Sequence, residues 1–175
     1  MISNELFCQT MRQTVSEVTV ITTEHDGQLH AMTATSFTSV SAEPPLALVC
    51  IKRGNDTDEL VAKSGRIGVS LLSENQQKIS SRYAWKGPER DRFDDLDTHR
   101  CPGGALVFDN CVAAMEAIIV ESYEAGDHTI YIVQLDYAAV DSESRPLLYW
   151  KGDYAKLEAS AASAQAQAAA SRSAS

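Results

Sequence analysis

The chain has 175 residues and a mass of 19.0 kDa, with 44% apolar and 22% charged residues, which fits one globular domain with its own core. Fifteen Lys and Arg against 24 Asp and Glu leave a formal charge of −9 and a pI near 4.8, with no basic stripe to attract duplex nucleic acid, so no nucleic-acid partner is expected. No window approaches the roughly 18 consecutive apolar residues of a membrane span, and Met1 to Thr14 is mixed polar without an apolar signal core, so the chain reads as cytoplasmic with no membrane partner.

Taken in chain order, residues 3 to 15 place Leu6, Met11 and Val15 near one helical face, with Ser3 or Asn4 as the cap. Val18 to Thr23 is β-branched, Asp26-Gly27 is a turn signal and Leu29 to Thr35 continues extended, which reads as a hairpin with a slightly long loop. Pro44-Pro45 removes two backbone donors and interrupts pairing, after which Leu46 to Ile51 resumes as a strand buried on both faces. Asp56 or Thr57 caps a helix carrying Leu60 and Val61, and Gly65 is its left-handed stop before a strand over Ile67 to Leu72. Glu74 to Tyr83 reads as a further short helix, and Lys86 to Gly104 as a long surface excursion. Strands are expected at Ala105 to Phe108, Cys111 to Glu121 and Thr129 to Val140, the last two joined at Gly126-Asp127, with Leu147 to Trp150 as a final edge. Strands outnumber helices and no repeated βαβ order appears, so a mainly β Greek-key barrel with a few short flanking helices fits better than a doubly wound sheet. The folded domain is placed at residues 1–157. Residues 158–175 form an Ala/Ser-rich tail without large apolar groups, read as disordered, a linker or a docking tail.

Cys8, Cys50, Cys101 and Cys111 are scattered, without a C-x-x-C pair or a histidine at metal-ligand spacing, and read as free thiols with no metal site. No G-x-G-x-x-G follows a strand, and neither G-x-x-x-x-G-K-[ST] nor G-x-S-x-G occurs, so the common dinucleotide, triphosphate and esterase readings lose support. The densest polar segment is TATSFTSVS, Thr33 to Ser41. Its neutral hydroxyls and backbone N–H groups can bind a phosphate or a ribityl chain in an acidic protein without a basic patch.

The pieces VTVITT with the DG turn, TATSFTSVSAEPPLALVCI, SGRIGVSLLSENQQKISSRYA, DRFDD and GDHTIYIVQLDYA followed by PLLYWKGDY stand in the order of the short-chain flavin reductase family. The chain resembles that family, the reductase components of two-component flavin-dependent monooxygenases, from about Val15 to Tyr154. The resemblance implies a split β-barrel of the FMN-binding type over the 1–157 domain, hydride transfer from NADH or NADPH to FMN or FAD, a homodimer, and a monooxygenase partner that receives the reduced flavin. It assigns Thr33, Ala34, Thr35, Ser36 and Phe37 to the flavin chain and phosphate, and Ser39 and Val40 to the ring. Cys50, Ile51, Lys52, Arg53 and Thr57 fall at the phosphate end, and Ser81, Arg82 and Tyr83 where relatives touch the flavin, Arg82 being suited to a bidentate grip on phosphate. His128 is assigned a catalytic place beside the nicotinamide, which Tyr149, Trp150, Lys151 and Gly152 cover. Trp150-Lys151 departs from the family's usual pattern and leaves the choice between NADH and NADPH open. A flavin-binding barrel without pyridine-nucleotide turnover is the alternative reading.

Overall fold

A computed structural model describes residues 1–85 and 92–158. In chain order the elements are α1 (Asn4–Met11), β1 (Ser16–Glu17), β2 (Thr19–His25), β3 (Gln28–Ala34), β4 (Thr38–Ala42) and β5 (Pro45–Lys52). Then come α2 (Asp56–Ser64), β6 (Arg66–Leu71), α3 (Gln77–Ala84), β7 (Thr98–Arg100) and β8 (Leu106–Phe108). The long pair β9 (Ala113–Ala125) and β10 (His128–Val140) precedes β11 (Leu148–Trp150) and β12 (Asp153–Ala155).

Seven strands form one antiparallel sheet in the order β3-β2-β6-β9-β10-β5-β4. Its two edge strands, β3 and β4, are consecutive in the chain and joined only by Thr35, Ser36 and Phe37. Laid flat, the edges of seven strands stand about 29 Å apart, whereas the step from Ala34 to Thr38 spans at most about 14 Å. The sheet must therefore curl until its edges meet. At the meeting point no ladder forms. Instead the Ser36 hydroxyl accepts from the Cys50 N–H at 3.2 Å and donates to the Cys50 carbonyl at 3.0 Å, tying the link to β5. The result is the expected mainly β split barrel.

The barrel interior is filled by Ile21, Val49, Ile51, Val61, Ile67, Val69, Tyr131 and Val133 with small Ala34, Ala47 and Ala117. β2 is buried on both faces, because Val20 and Val18 pack outward with Tyr83, Phe108 and Leu147 into a second cluster under α3. Inside the barrel wall, Tyr131 donates to Asp58 Oδ1 at 2.7 Å, and burial together with that carboxylate pushes the phenol far above its ordinary range.

The 101–108 segment crosses this sheet so closely that little room is left for a side chain at Gly68 or Gly103. A Cβ on Gly68 would stand 2.2 Å from the Leu106 carbonyl oxygen, and one on Gly103 would stand 2.3 Å from Arg66 Nη1. Beneath the segment the buried Glu116 accepts from the N–H groups of Gly103 (2.7 Å) and Ala105 (2.8 Å) and pairs with Arg66 at 3.1 Å. Burial alone would raise the Glu116 carboxyl, but these donors and the guanidinium outweigh it and hold the carboxyl below its ordinary value.

Several elements differ from expectation for local reasons. The β2–β3 loop is a two-residue turn, His25 opposite Gln28, made possible by Asp26 (φ 49°) and Gly27 (φ 77°). Pro44-Pro45 does not break pairing: Ala42 faces Pro45 across the β4–β5 turn, and Pro45 opens β5. β5 is not buried on both faces; Ala47, Val49 and Ile51 point inward while Leu46, Leu48 and Cys50 stay half-buried outside. Asn55, not Asp56 or Thr57, caps α2 by accepting from the Asp58 N–H. Within the expected excursion, residues 98–100 form β7 and pair with β8, while 86–91 lie outside the described residues. Ser3 caps α1, yet no residue of that helix is buried, and Leu6, Phe7 and Met11 on it stay half exposed. The tail from residue 159 onward lies outside the described residues.

The crossing at Gly68 yields a direct test. Gly68→Ala is expected to lower unfolding free energy by about 1–3 kcal/mol, read from urea denaturation, with an unchanged far-UV spectrum. An unchanged midpoint would mean that the 101–108 segment does not press on β6 in solution.

Candidate active site

The link that closes the barrel also lies between two adjoining clefts. One is a cavity of about 400 Å³ walled by Val18, Thr33 and Thr35 from the barrel, Ser80, Ser81 and Ala84 from α3, Trp85 just after it, and Tyr149, Gly152, Asp153 and Tyr154 from the β11–β12 hairpin. The other, of about 430 Å³, is lined by Val15 to Glu17 and Thr35 to Thr38. Thr35 belongs to both. Period-two alternation explains the lining: Ala34 turns into the core, so Thr33 and Thr35 turn out.

The hairpin wall is placed by its turn. Lys151 (φ 53°) and Gly152 (φ 90°) make a two-residue reversal that sets Tyr149 opposite Tyr154, whose rings meet edge to face at 5.6 Å. Its tip is pinned to the end of α1, where the Lys151 N–H donates to Arg12 O (3.1 Å) and the Trp150 indole to Gln13 O (3.2 Å). Across the cavity, the Tyr154 hydroxyl donates to Ser80 Oγ at 2.8 Å and lies 3.3 Å from Ser81 Oγ, while Thr33 donates to the Ser80 carbonyl at 2.7 Å. The surroundings are neutral hydroxyls, aromatic edges and the Asp153 carboxylate, and among the described residues no Lys or Arg lines this cavity. In the second cleft, burial raises the Glu17 carboxyl.

The sequence-assigned residues divide into groups. Thr33, Thr35, Ser81, Tyr149 and Gly152 meet in the first cavity, and Ser36 and Phe37 join Thr35 in the second. Lys52, Arg53 and His128 form a separate charged cluster beyond Cys50 that lines neither cleft. There His128 pairs with Lys52 across β10–β5, the Arg53 N–H donates to Asp127 O at 3.0 Å, and the Arg53 guanidinium pairs with Glu124. His128 Nδ1 is 2.9 Å from Asp127 Oδ1, and this contact, with Lys52 adding to it, holds the Asp127 carboxyl below its ordinary value. Ser39 and Val40 are exposed on β4. Trp150 and Lys151 sit at the hairpin tip, the ammonium 4.4 Å from the indole centroid.

Other assignments meet a physical obstacle. Ala34 and Ile51 are core residues. Thr57 is fully buried, its hydroxyl 2.9 Å from His30 Nδ1, so it is placed away from any ligand surface. Tyr83 is likewise interior, stacked on Phe93 with its hydroxyl donating to Arg92 O at 3.2 Å. Arg82 does make a bidentate grip, but on the Asp95 carboxylate at 2.7 Å through both nitrogens, which holds Asp95 down at about 2. Cys50 engages Ser36 through its backbone, and burial pushes its thiol up. Ser80, Trp85, Asp153, Tyr154 and Glu17 line the clefts without any assignment from the sequence. The K-G dipeptide between two tyrosines was the available signal, since a two-residue turn there puts Tyr154 opposite Tyr149.

The family profile described as the flavin reductase like domain matches residues 11–158, and the chain belongs to that family. It is 38% identical over 139 residues to the actinorhodin polyketide dimerase of Streptomyces coelicolor, spanning 78% of this chain and 77% of that one. It is 35% identical over 150 residues to the reductase component of an FADH(2)-dependent resorcinol hydroxylase from a Rhizobium species, spanning 85% and 84%. Among solved structures, the Streptomyces globisporus NADH:FAD oxidoreductase SgcE6 in complex with NAD and FAD fragments superposes with a TM-score of 0.85 at 27% identity, covering 92% of this chain and 98% of that one.

Thr57 provides the test of placement. Thr57→Val is expected to cost about 1–3 kcal/mol of stability through the lost bond to His30, with the flavin KM within twofold of the parent. A stable variant with a weakened flavin KM would return Thr57 to the ligand surface.

Proposed function

We propose that this chain is an NADH-dependent flavin reductase whose reduced flavin passes to a separate oxygenase. The observation that carries the reading is the pair of hydroxyl-lined clefts sharing Thr35, built on the barrel link of a flavin reductase like domain. The residues fit the group: aromatic edges and neutral hydroxyls suit a planar ring and a polyol chain, and neither needs a buried charge. The relative that is the reductase component of a resorcinol hydroxylase supports the oxygenase partner.

Bound flavin supplies the acceptor for a hydride from the reduced nicotinamide. The protein then needs no nucleophile, and its work is placement. Thr35, Ser36 and Phe37 present backbone and hydroxyl groups at the seam between the clefts, and Ser36 cannot shift without loosening Cys50. The Tyr149 and Trp85 rings flank the first cavity and limit water beside a bound ring. In this reading Lys52, Arg53 and His128 are a cationic rim for phosphate or nicotinamide supplied to a neighbouring copy, because they line neither cleft of their own chain. A homodimer also accounts for the uncovered apolar face of α1, where Phe7 is 51% exposed, and for the half-buried outer row Leu46, Leu48, Cys50, Ile130 and Ile132. FMN and FAD both remain candidates for the flavin, as do NADH and NADPH for the donor, with the NADH-named relatives favouring NADH. The cytoplasm is the proposed compartment, supported by four free cysteines.

Oxidation of NADH and NADPH followed at 340 nm with FMN, FAD or neither tests the reading: rapid oxidation only with added flavin is expected, and flavin binding without oxidation overturns it. His128→Ala is expected to raise the KM for the dinucleotide about tenfold with a smaller change in kcat, and an unchanged KM removes His128 from the site. In sedimentation equilibrium the parent is expected at twice 19.0 kDa, and Phe7→Glu is expected to shift it toward the single chain.

A further inference from the structure

Around the first cavity the hydroxyl hydrogens of Tyr154, Ser81 and Thr33 are already spent within the protein. A tyrosine hydroxyl carries one hydrogen, and that of Tyr154 goes to Ser80 Oγ at 2.8 Å. The contact between Tyr154 and Ser81 at 3.3 Å must then run the other way, with Ser81 donating and Tyr154 accepting. Thr33 spends its hydrogen on the Ser80 carbonyl at 2.7 Å. What Ser81 and Thr33 turn toward the cavity is therefore lone pairs, and the Asp153 carboxylate on the hairpin adds further acceptors.

We infer that the wall of this cavity formed by Thr33, Ser81 and Asp153 is a hydrogen-bond acceptor face that selects a planar ring through an amide-type N–H, with Tyr154 as the positioning residue that fixes the polarity. Tyr154 touches no reacting atom in this account; it acts by taking the Ser81 hydrogen. The inference rests on the flavin reductase reading for the identity of the ring. Two groups of that chemistry are at hand in the reaction, the carboxamide N–H of nicotinamide and the imide N–H of the flavin ring. Both would find the same acceptors. A site built to pair a donor rejects the analogue that lacks it, because its own polar groups are left unmatched.

The test measures dissociation constants by calorimetry, independent of turnover. One arm compares NAD with its 3-acetylpyridine analogue, which lacks the carboxamide N–H; the other compares FMN with N3-methyl FMN. The parent protein is expected to bind one analogue about tenfold more weakly than its natural counterpart, and the arm that responds names the ring in the cavity. In Tyr154→Phe the Ser81 hydrogen is released toward the cavity, and that preference is expected to fall to within about threefold. Ser81→Ala is expected to lose it likewise, whereas Ser81→Thr, which keeps the hydroxyl, retains it. No preference in either arm of the parent overturns the polarity, and an undiminished preference in Tyr154→Phe overturns the role of Tyr154. Flavin reduction assayed on the same parent preparation separates the two readings: its absence sinks the proposed activity while the binding ratios still decide the polarity.

Discussion

Three residues set the shape of this molecule. Because Thr35, Ser36 and Phe37 must connect the outermost strands of a seven-stranded sheet, the sheet has no freedom to stay open, and the only question is how its edges are reconciled. A closed ladder would have consumed the backbone groups of the link. The Ser36 hydroxyl makes both contacts to Cys50 instead, and the backbone of the neighbouring residues stays available at the surface of the barrel. A structural constraint and a binding surface thus occupy the same short segment, which explains why a hydroxyl-rich stretch sits at that point and not on a free loop.

Features with local causes were readable in advance. The Asp26-Gly27 reversal, the Gly65 stop and the Gly126-Asp127 hairpin all follow from residues that tolerate positive φ, and each stands where the chain chemistry placed it. Features that depend on distant partners were not. Nothing near Arg82 in sequence announces Asp95 as its partner, and nothing near Thr57 announces His30. β1, β4, β7 and β12 are short and take their order from neighbours in space. The site is legible as blocks and blurred within them: the resemblance assigns Thr33 to Phe37 and Cys50 to Arg53 whole, although a strand exposes only alternate residues on one face. Ala34 and Ile51 belong to the other face and fill the core.

The charge economy of the chain follows one pattern. Arg53, Arg66, Arg82 and Arg100 are each placed against a carboxylate, with Glu124, Glu116, Asp95 and Glu24 as partners. The guanidinium groups therefore serve as internal braces, and the described lining of the cavity between α3 and the β11–β12 hairpin is left to neutral oxygens, aromatic rings and one carboxylate. Such a lining discriminates by the direction of hydrogens and the flatness of the ligand more than by net charge. A ligand held this way is not locked in place by ion pairs, which agrees with a flavin that arrives oxidised and departs reduced.

The small sheet β1-β11-β12 carries a topological consequence. Ser16 near one end of the folded body is the register partner of Tyr149 near the other, so the two ends of the barrel polypeptide already lie side by side. The barrel is in this sense nearly cyclic. Its connectivity admits circular permutation, with the ends rejoined beside β1 and β11 and the chain reopened at the Gly126-Asp127 reversal, while the covalent continuity of Thr35 to Phe37, on which closure rests, is left untouched.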